Sequence, residues 1–171
     1  MDALEELIAR DHIRRLAERY ALAVDAKDID GVAELFVEDV DNGPYGQGRA
    51  GVRRFFDQSL RKFHCSMHLV ANHVIDFDDN DHAHGIVYCR AHHHVLEPEH
   101  WFDEALAYWD TYERVDVGWR FRRRQVRSWY REEHGSERVV SQSTASGPKR
   151  GTQMPEAFET FDAFWSRPPL G

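Results

Sequence analysis

The feature that most constrains this chain is a change of hydrophobic period near residue 64. Before it, apolar side chains recur at helical spacing: Leu4, Leu7, Ile8, Ile13, Leu16, Tyr20 and Val24, then Val52, Phe55, Phe56, Leu60 and Phe63. After it, the spacing falls to two and stays there through four successive stretches. A helix buries one face every 3.6 residues and a strand every second residue, so the two patterns demand different structures. A run of helices followed by a run of strands is the signature of an α+β fold, with helices covering one face of a curved antiparallel sheet.

The boundaries follow from local chemistry. The spacing predicts a first helix over residues 3–24, and a short second helix over 29–36 whose N-cap is Asp28. Residues 38–51 are rich in Asp and Gly and include Pro44, which predicts a loop with room for a short strand around Tyr45. A third helix is predicted over 49–63. Strands are expected over 67–77, 83–96, 104–115 and 119–130, with the acidic turn Asp78 to Asp81 between the first two. Residues 1–134 are thus expected to form one domain, and residues 135–171 an extension. Within that extension, Ser141 to Gln153 reads as a linker and Phe158, Phe161 and Trp165 as a short helix that docks on its own subunit or straps a neighbour.

Composition excludes several classes of function. A chain of 171 residues with 42% hydrophobic content suffices for one core. Its net charge of −8 opposes a nucleic-acid or anionic-membrane partner, and the basic run Arg120, Arg122, Arg123 and Arg124 reads as a solvated strand face. Cys65 and Cys89 lie among apolar neighbours without metal-type spacing, which predicts thiols in a reducing compartment. No secretory signal or membrane-length apolar run is visible, so the expected location is cytoplasmic.

Polar residues that packing alone does not explain point to a lined pocket: Tyr20 and Asp25 at the end of the first helix, His68 at the start of a strand, and Arg127 in the last strand. The segment from Tyr20 through Asp25 to Asp30, the later Ser66-Met67-His68, and Tyr112-Glu113-Arg114 leading to Gly118-Trp119-Arg120 resemble the SnoaL-like branch of the nuclear-transport-factor-2-like (NTF2-like) superfamily. That branch includes scytalone dehydratase, bile acid 7α-dehydratase and hexachlorocyclohexane dehydrochlorinase. The resemblance covers about residues 3–134 and implies an α+β cone of three helices on a strongly curved sheet. It also implies a cofactor-independent lyase or isomerase, such as a dehydratase, acting beside a carbonyl of a cyclic or polyketide-like small molecule. Asp25 and His68 would form the catalytic dyad with Tyr20 beside them, and Tyr45, His93 and Arg127 would bind substrate.

The roles have a physical basis. A carboxylate on one imidazole nitrogen fixes the tautomer and leaves the other nitrogen to take a proton. Phenol donors stabilise an enolate, and a guanidinium keeps its charge inside a pocket.

Other readings of the same residues stand beside these. Asp25 is also a plausible helix-end cap, and Tyr20 an ordinary core aromatic. His68 is in phase with Val70, Asn72 and Val74, which places Asn72 among the substrate-binding candidates; the alternate phase of Met67, Leu69, Ile75 and Phe77 is the more apolar, and a bulge would exchange the two. Arg127 shares its phase with Trp119, Phe121 and Trp129, an apolar setting that requires a partner. In the triplet His92, His93, His94, alternation sends His93 inward and its neighbours outward. His92 and His94 with Glu99 allow a metal-dependent enzyme as one rival reading, although no metal is expected. A non-catalytic small-molecule binder or assembly subunit is the other. The outward phase, counted as Ile86, Tyr108, Tyr112, Val126 and Tyr130, predicts a homodimer or homotrimer.

Overall fold

The computed structural model describes residues 1–116, 118–135, 154–155 and 157–170. Helices α1 (Ala3–Asp25), α2 (Ile29–Glu34) and α3 (Gly48–Leu60) precede strands β1 (Cys65–Phe77), β2 (His82–Leu96), β3 (Glu99–Val115) and β4 (Gly118–His134). A single 3-10 turn, Gly43–Tyr45, stands before α3, and α4 (Glu159–Ser166) follows the sheet. The expected linker Ser141 to Gln153 lies outside the described residues.

The caps explain the helix starts. Asp2 accepts from the backbone N–H groups of Leu4 and Glu5 while Glu5 reaches back to Asp2, a complete capping box. Asp28 accepts from the N–H of Gly31 and opens α2 as expected. The strands form an antiparallel meander in the order β1-β2-β3-β4, and α1 lies across its concave face against β1 and β4. Ile13, Leu16, Tyr20, Val52, Phe56, Val87, Tyr108, Tyr112 and Phe121 build the core between them. The fold has the α+β layering that the change of period predicts and the cone that the resemblance implies.

Three irregularities in the sheet decide which side chains face that core. One extra residue in β1 between Val70 and His73, and extra residues in β4 at Arg122 and Trp129, each reverse the alternation beyond them. On β1 the inward set is therefore His68 and Val70 and then His73 and Ile75, with Asn72 turned out and exposed. On β4 it is Trp119 and Phe121 and then Arg124, not Arg127. The tight register around Gly85 has its own requirement: a Cβ there would stand 2.5 Å from the carbonyl oxygen of Val74 and 3.5 Å from Nε2 of His73.

The tail helix docks on its own chain. Phe161 and Phe164 are buried, and Thr160 Oγ donates to the carbonyl of Ala26 at 2.6 Å. The fully buried Asp57 of α3 takes Arg61 at 3.2 Å, Arg167 at 3.0 Å and the N–H of Leu170 at 2.8 Å. A buried carboxylate needs such partners to remain charged.

The convex face also differs from expectation. Tyr108 and Tyr112 point into the core, and the aromatics left outside are Tyr88, Trp109, Trp129 and Tyr130, with Trp129 68% exposed and in contact with Tyr88. We propose that a second copy of the chain covers this face, because so many exposed large aromatics on one sheet are unusual for a monomer. Light scattering is expected to return a mass above the 20.0 kDa of one chain. A monomer mass at micromolar concentration contradicts it.

Candidate functional site

Asp25 is the last residue of α1, and its carboxylate crosses to the start of β1. Oδ2 accepts the backbone N–H of His68 at 2.8 Å, and Oδ1 accepts Ser66 Oγ at 2.9 Å and meets His68 Nδ1 at 2.7 Å. The carboxylate can only accept, so the ring proton belongs on Nδ1 and the lone pair of the neutral imidazole is on Nε2. The side chains of His68 and Asp25 are 8% and 15% exposed, which shields the pair from water.

His93 faces inward beside the dyad, its ring 5.6 Å from that of His68 and nearly perpendicular to it. It stacks on Phe102 at 4.5 Å, and the Arg131 guanidinium covers Phe102 at 3.5 Å. Burial, then the nearby charges of His68 and Arg131, push the His93 pKa down to about 3. The ring is neutral at physiological pH, and its Nδ1 is buried with no hydrogen-bond partner.

A second polar group lies deeper in the cone. Arg124 forms a two-point ion pair with Asp110, Nε to Oδ1 at 2.9 Å and Nη2 to Oδ2 at 2.6 Å, with side chains 3% and 0% exposed. Its guanidinium is packed between the rings of Tyr20 (4.3 Å), Tyr108 (4.1 Å) and Phe121 (4.2 Å). Tyr112 donates to Asp110 at 2.9 Å, and His73 Nε2 meets the Tyr112 hydroxyl at 2.9 Å. Burial, then Arg124 and Arg14, push His73 down to about 4. Burial also raises Tyr20 to about 12, with Arg124 pulling the other way, so its hydroxyl remains a proton donor. Arg124 Nη1 is buried without a partner.

Tyr20, Tyr45, Phe55, Phe56, Arg124 and Val126 wall a cavity of about 430 Å³ between α3 and β4. Tyr45 belongs to the 3-10 turn and packs edge-on against Phe55 at 5.1 Å. His68 and Asp25 are not among the walls; along α1, Tyr20 precedes Asp25 by about 7.5 Å at 1.5 Å per residue.

Asp25, His68 and His93 thus come together as one group, and Tyr20 and Tyr45 as another. Asn72 and Arg127 join neither. Arg127 is exposed and lies over Trp109 at 5.0 Å on the convex face, because the extra residue at Arg122 reverses its phase. The basic run is likewise not one solvated face: Arg122 pairs with Glu113 and Asp39, and Arg124 is buried. His92 Nδ1 contacts Asp103 at 2.6 Å, whereas His94 is buried and stacks on Trp101 at 4.3 Å. The two do not converge; His94 keeps the phase of His92, as alternation suggests, but is buried there. Sequence reasoning missed Arg124, Asp110 and His73; with Tyr108 and Tyr112 counted as outward, Asp110 in the same phase gave no signal.

With this geometry in place, comparison with known proteins defines the class. The model of the SnoaL-like domain matches residues 5–125, and the chain belongs to that family. Among solved structures, it is similar to a candidate scytalone dehydratase from Novosphingobium aromaticivorans, at 26% identity and a TM-score of 0.66 over 75% of this chain and 89% of that one. It is similar also to the hexachlorocyclohexane dehydrochlorinase LinA-type3 from Novosphingobium barchaimii, at 23% identity and a TM-score of 0.69 over 76% and 92%. A protein of unknown function from Mycobacterium tuberculosis aligns at 21% identity and a TM-score of 0.62 over 97% and 89%. No curated protein matches the chain. No helix among the described residues is long and apolar enough to cross a membrane.

The two arginines give a direct check on the bulge. Arg124→Gln leaves the Asp110 carboxylate buried without its counter-charge and is expected to cost about 3–5 kcal/mol of stability, whereas Arg127→Gln should stay within about 0.5 kcal/mol. Urea denaturation of both variants measures this, and equal costs would contradict the assigned register.

Proposed function

We propose that the protein is a cofactor-independent lyase or isomerase that removes a proton beside a carbonyl of a cyclic or polyketide-like substrate. The observation that carries the reading is the Asp25 carboxylate on Nδ1 of His68, which leaves Nε2 as the proton acceptor. The imidazolium formed is stabilised by the same carboxylate.

The electron pair released from the C–H bond moves to the carbonyl oxygen. Arg124 Nη1 and the Tyr20 hydroxyl are the donors that would hold the resulting enolate. Asp110 already neutralises Arg124, so the pair offers directed N–H groups with little net charge. That suits an oxygen that is neutral at the start and charged only near the transition state. In a dehydration, the β-hydroxyl leaves as water with the proton returned from His68. In an isomerisation, the same proton goes back to a different carbon. The neutral His93 beside His68 is suited to orient a substrate polar group, and Tyr45 to contact the substrate at the cavity mouth.

A second reading is favoured by one observation: His68 and Asp25 do not wall the cavity that holds Tyr20 and Arg124. A non-catalytic binder would use the cavity alone. Incubation with cyclic ketones and β-hydroxy ketones in deuterated water, followed by NMR, separates the two. Carbon-bound deuterium or loss of water is expected, slowed by roughly a hundredfold to ten-thousandfold in His68→Ala. Ligand binding without exchange would establish the binder, whereas exchange unchanged in a folded His68→Ala would remove His68 from the mechanism.

A further inference from the structure

The outer side of α1 carries a groove that the proposed reaction does not use. One compartment, about 390 Å³, has a floor of Leu16, Leu22, Ala23, Ala26 and Leu35 and a wall of Phe158. The other, about 160 Å³, is lined by His12, Arg15, Arg19, Gly118, Trp119 and Arg120. Leu16, Arg19 and Arg120 belong to both, so the compartments are continuous. The groove is apolar along one half and cationic along the other.

Arg19 and Arg120 at the junction form no ion pair among the described residues. Arg19 makes no hydrogen bond or ion pair among the described residues. Arg120 donates Nη1 to the carbonyl of Trp119 at 2.8 Å, and its Nε is buried with no partner. Burial, then the like charges of Arg49 and Arg19, make the Arg120 guanidinium harder to keep charged than usual. Arg15 meets Asp11 only on the exposed surface, at 3.3 Å. Of the carboxylates on the wall, Glu34 shares the larger compartment with Arg19 and Arg120 and partly offsets the charge on Arg120 without pairing with it, and Asp28 is engaged in capping α2. In a chain of net charge −8, two unpaired guanidiniums at one point are an anomaly that an anion removes.

We propose that this groove binds an aliphatic anion, its carboxylate or phosphate head between Arg19 and Arg120 and its chain on the Leu16, Ala23 and Ala26 floor. Guanidinium donors match the paired oxygens of either head with charge-assisted hydrogen bonds, and the floor removes the chain from water. Arg19 and Ala26 are about 10 Å apart along the helix axis, the reach of a chain of about eight carbons. Because Phe158 forms part of the wall and Thr160 is tied to Ala26, a bound chain also braces the docked tail.

Calorimetric titration of the full chain with octanoate, octyl phosphate, octanol and inorganic phosphate tests the site. Octanoate and octyl phosphate identify which head is preferred, and binding of either supports the proposal. Octanol and inorganic phosphate are each expected to bind at least about tenfold more weakly, since each lacks one half of the recognition. Arg19→Gln, on the exposed side of the helix, and Arg120→Gln should both weaken the preferred ligand by about tenfold or more. Val126→Trp, which fills the mouth of the other cavity, should leave it unchanged. The proposal is overturned if neither octanoate nor octyl phosphate binds at millimolar concentration. It is equally overturned if both arginine variants bind like the parent, if inorganic phosphate binds as well as the amphiphiles, or if Val126→Trp abolishes binding.

Discussion

The carboxylate of Asp25 is the joint on which the helical layer and the sheet both depend. Three hydrogen bonds tie the end of α1 to the start of β1, and hydrogen bonds to a charged group contribute about 1.5–3 kcal/mol each. Two residues on, Lys27 turns the chain through a left-handed conformation, φ 57°, and buries its ammonium against the carbonyls of Leu60 and Phe63 at 2.8 Å. Leu60 is the last residue of α3 and its carbonyl also accepts the N–H of Phe63 at 3.3 Å, while Phe63 follows the helix end; a cation there meets the negative end of the helix dipole. Burial lowers the Lys27 pKa to about 8, and the rings of Phe164 and Trp165 from α4 complete its surroundings. Within three residues, the chain connects α1, α3, β1 and the tail. The same bonds that make this joint orient His68, so stability and the proposed chemistry share their geometry.

The interior of the cone is polar without being charged overall. Arg124 and Asp110 cancel, while burial holds Tyr20, Tyr112, His73 and His93 in their neutral forms. An unpaired buried ion would be costly, and the ion pair, the aromatic rings around the guanidinium and the Tyr112 hydroxyl offset that cost. What remains unsatisfied is specific: Arg124 Nη1 and one ring nitrogen each of His73 and His93. Leftover hydrogen-bonding capacity of this kind, facing a cone, is what a polar-edged ligand can use.

Much of this was legible in the residues themselves. The change of period near residue 64 specified the α+β layering, Asp28 and the acidic turn specified local starts and stops, and the Tyr20, Asp25 and His68 pattern led to the dyad. The parity of the strands was not legible. Alternation is readable only while the ladder is regular, and an extra residue at Asn72 or Arg122 leaves no mark in composition because the flanking segments remain apolar or basic on both phases. For that reason Asn72 and Arg127 were placed inward in error, whereas His73 and Arg124 escaped notice. Tyr108 and Tyr112 were assigned to the convex face for a different reason: β3 has no extra residue, and the choice of which phase faces the core was wrong. His94 is buried although it follows alternation, because Trp101 stacks on it and His64, itself packed against Trp165 of the tail helix, lies beside it, a long-range arrangement that no local pattern records.

The central claim is that Asp25 holds His68 as a proton acceptor at Nε2. Nitrogen-15 NMR of the histidine rings tests it directly, at a pH where the His68 ring is neutral. The account predicts a proton on Nδ1, a bare Nε2, and loss of that preference in Asp25→Asn. A neutral His68 ring protonated on Nε2, or a tautomer unchanged by Asp25→Asn, would contradict it.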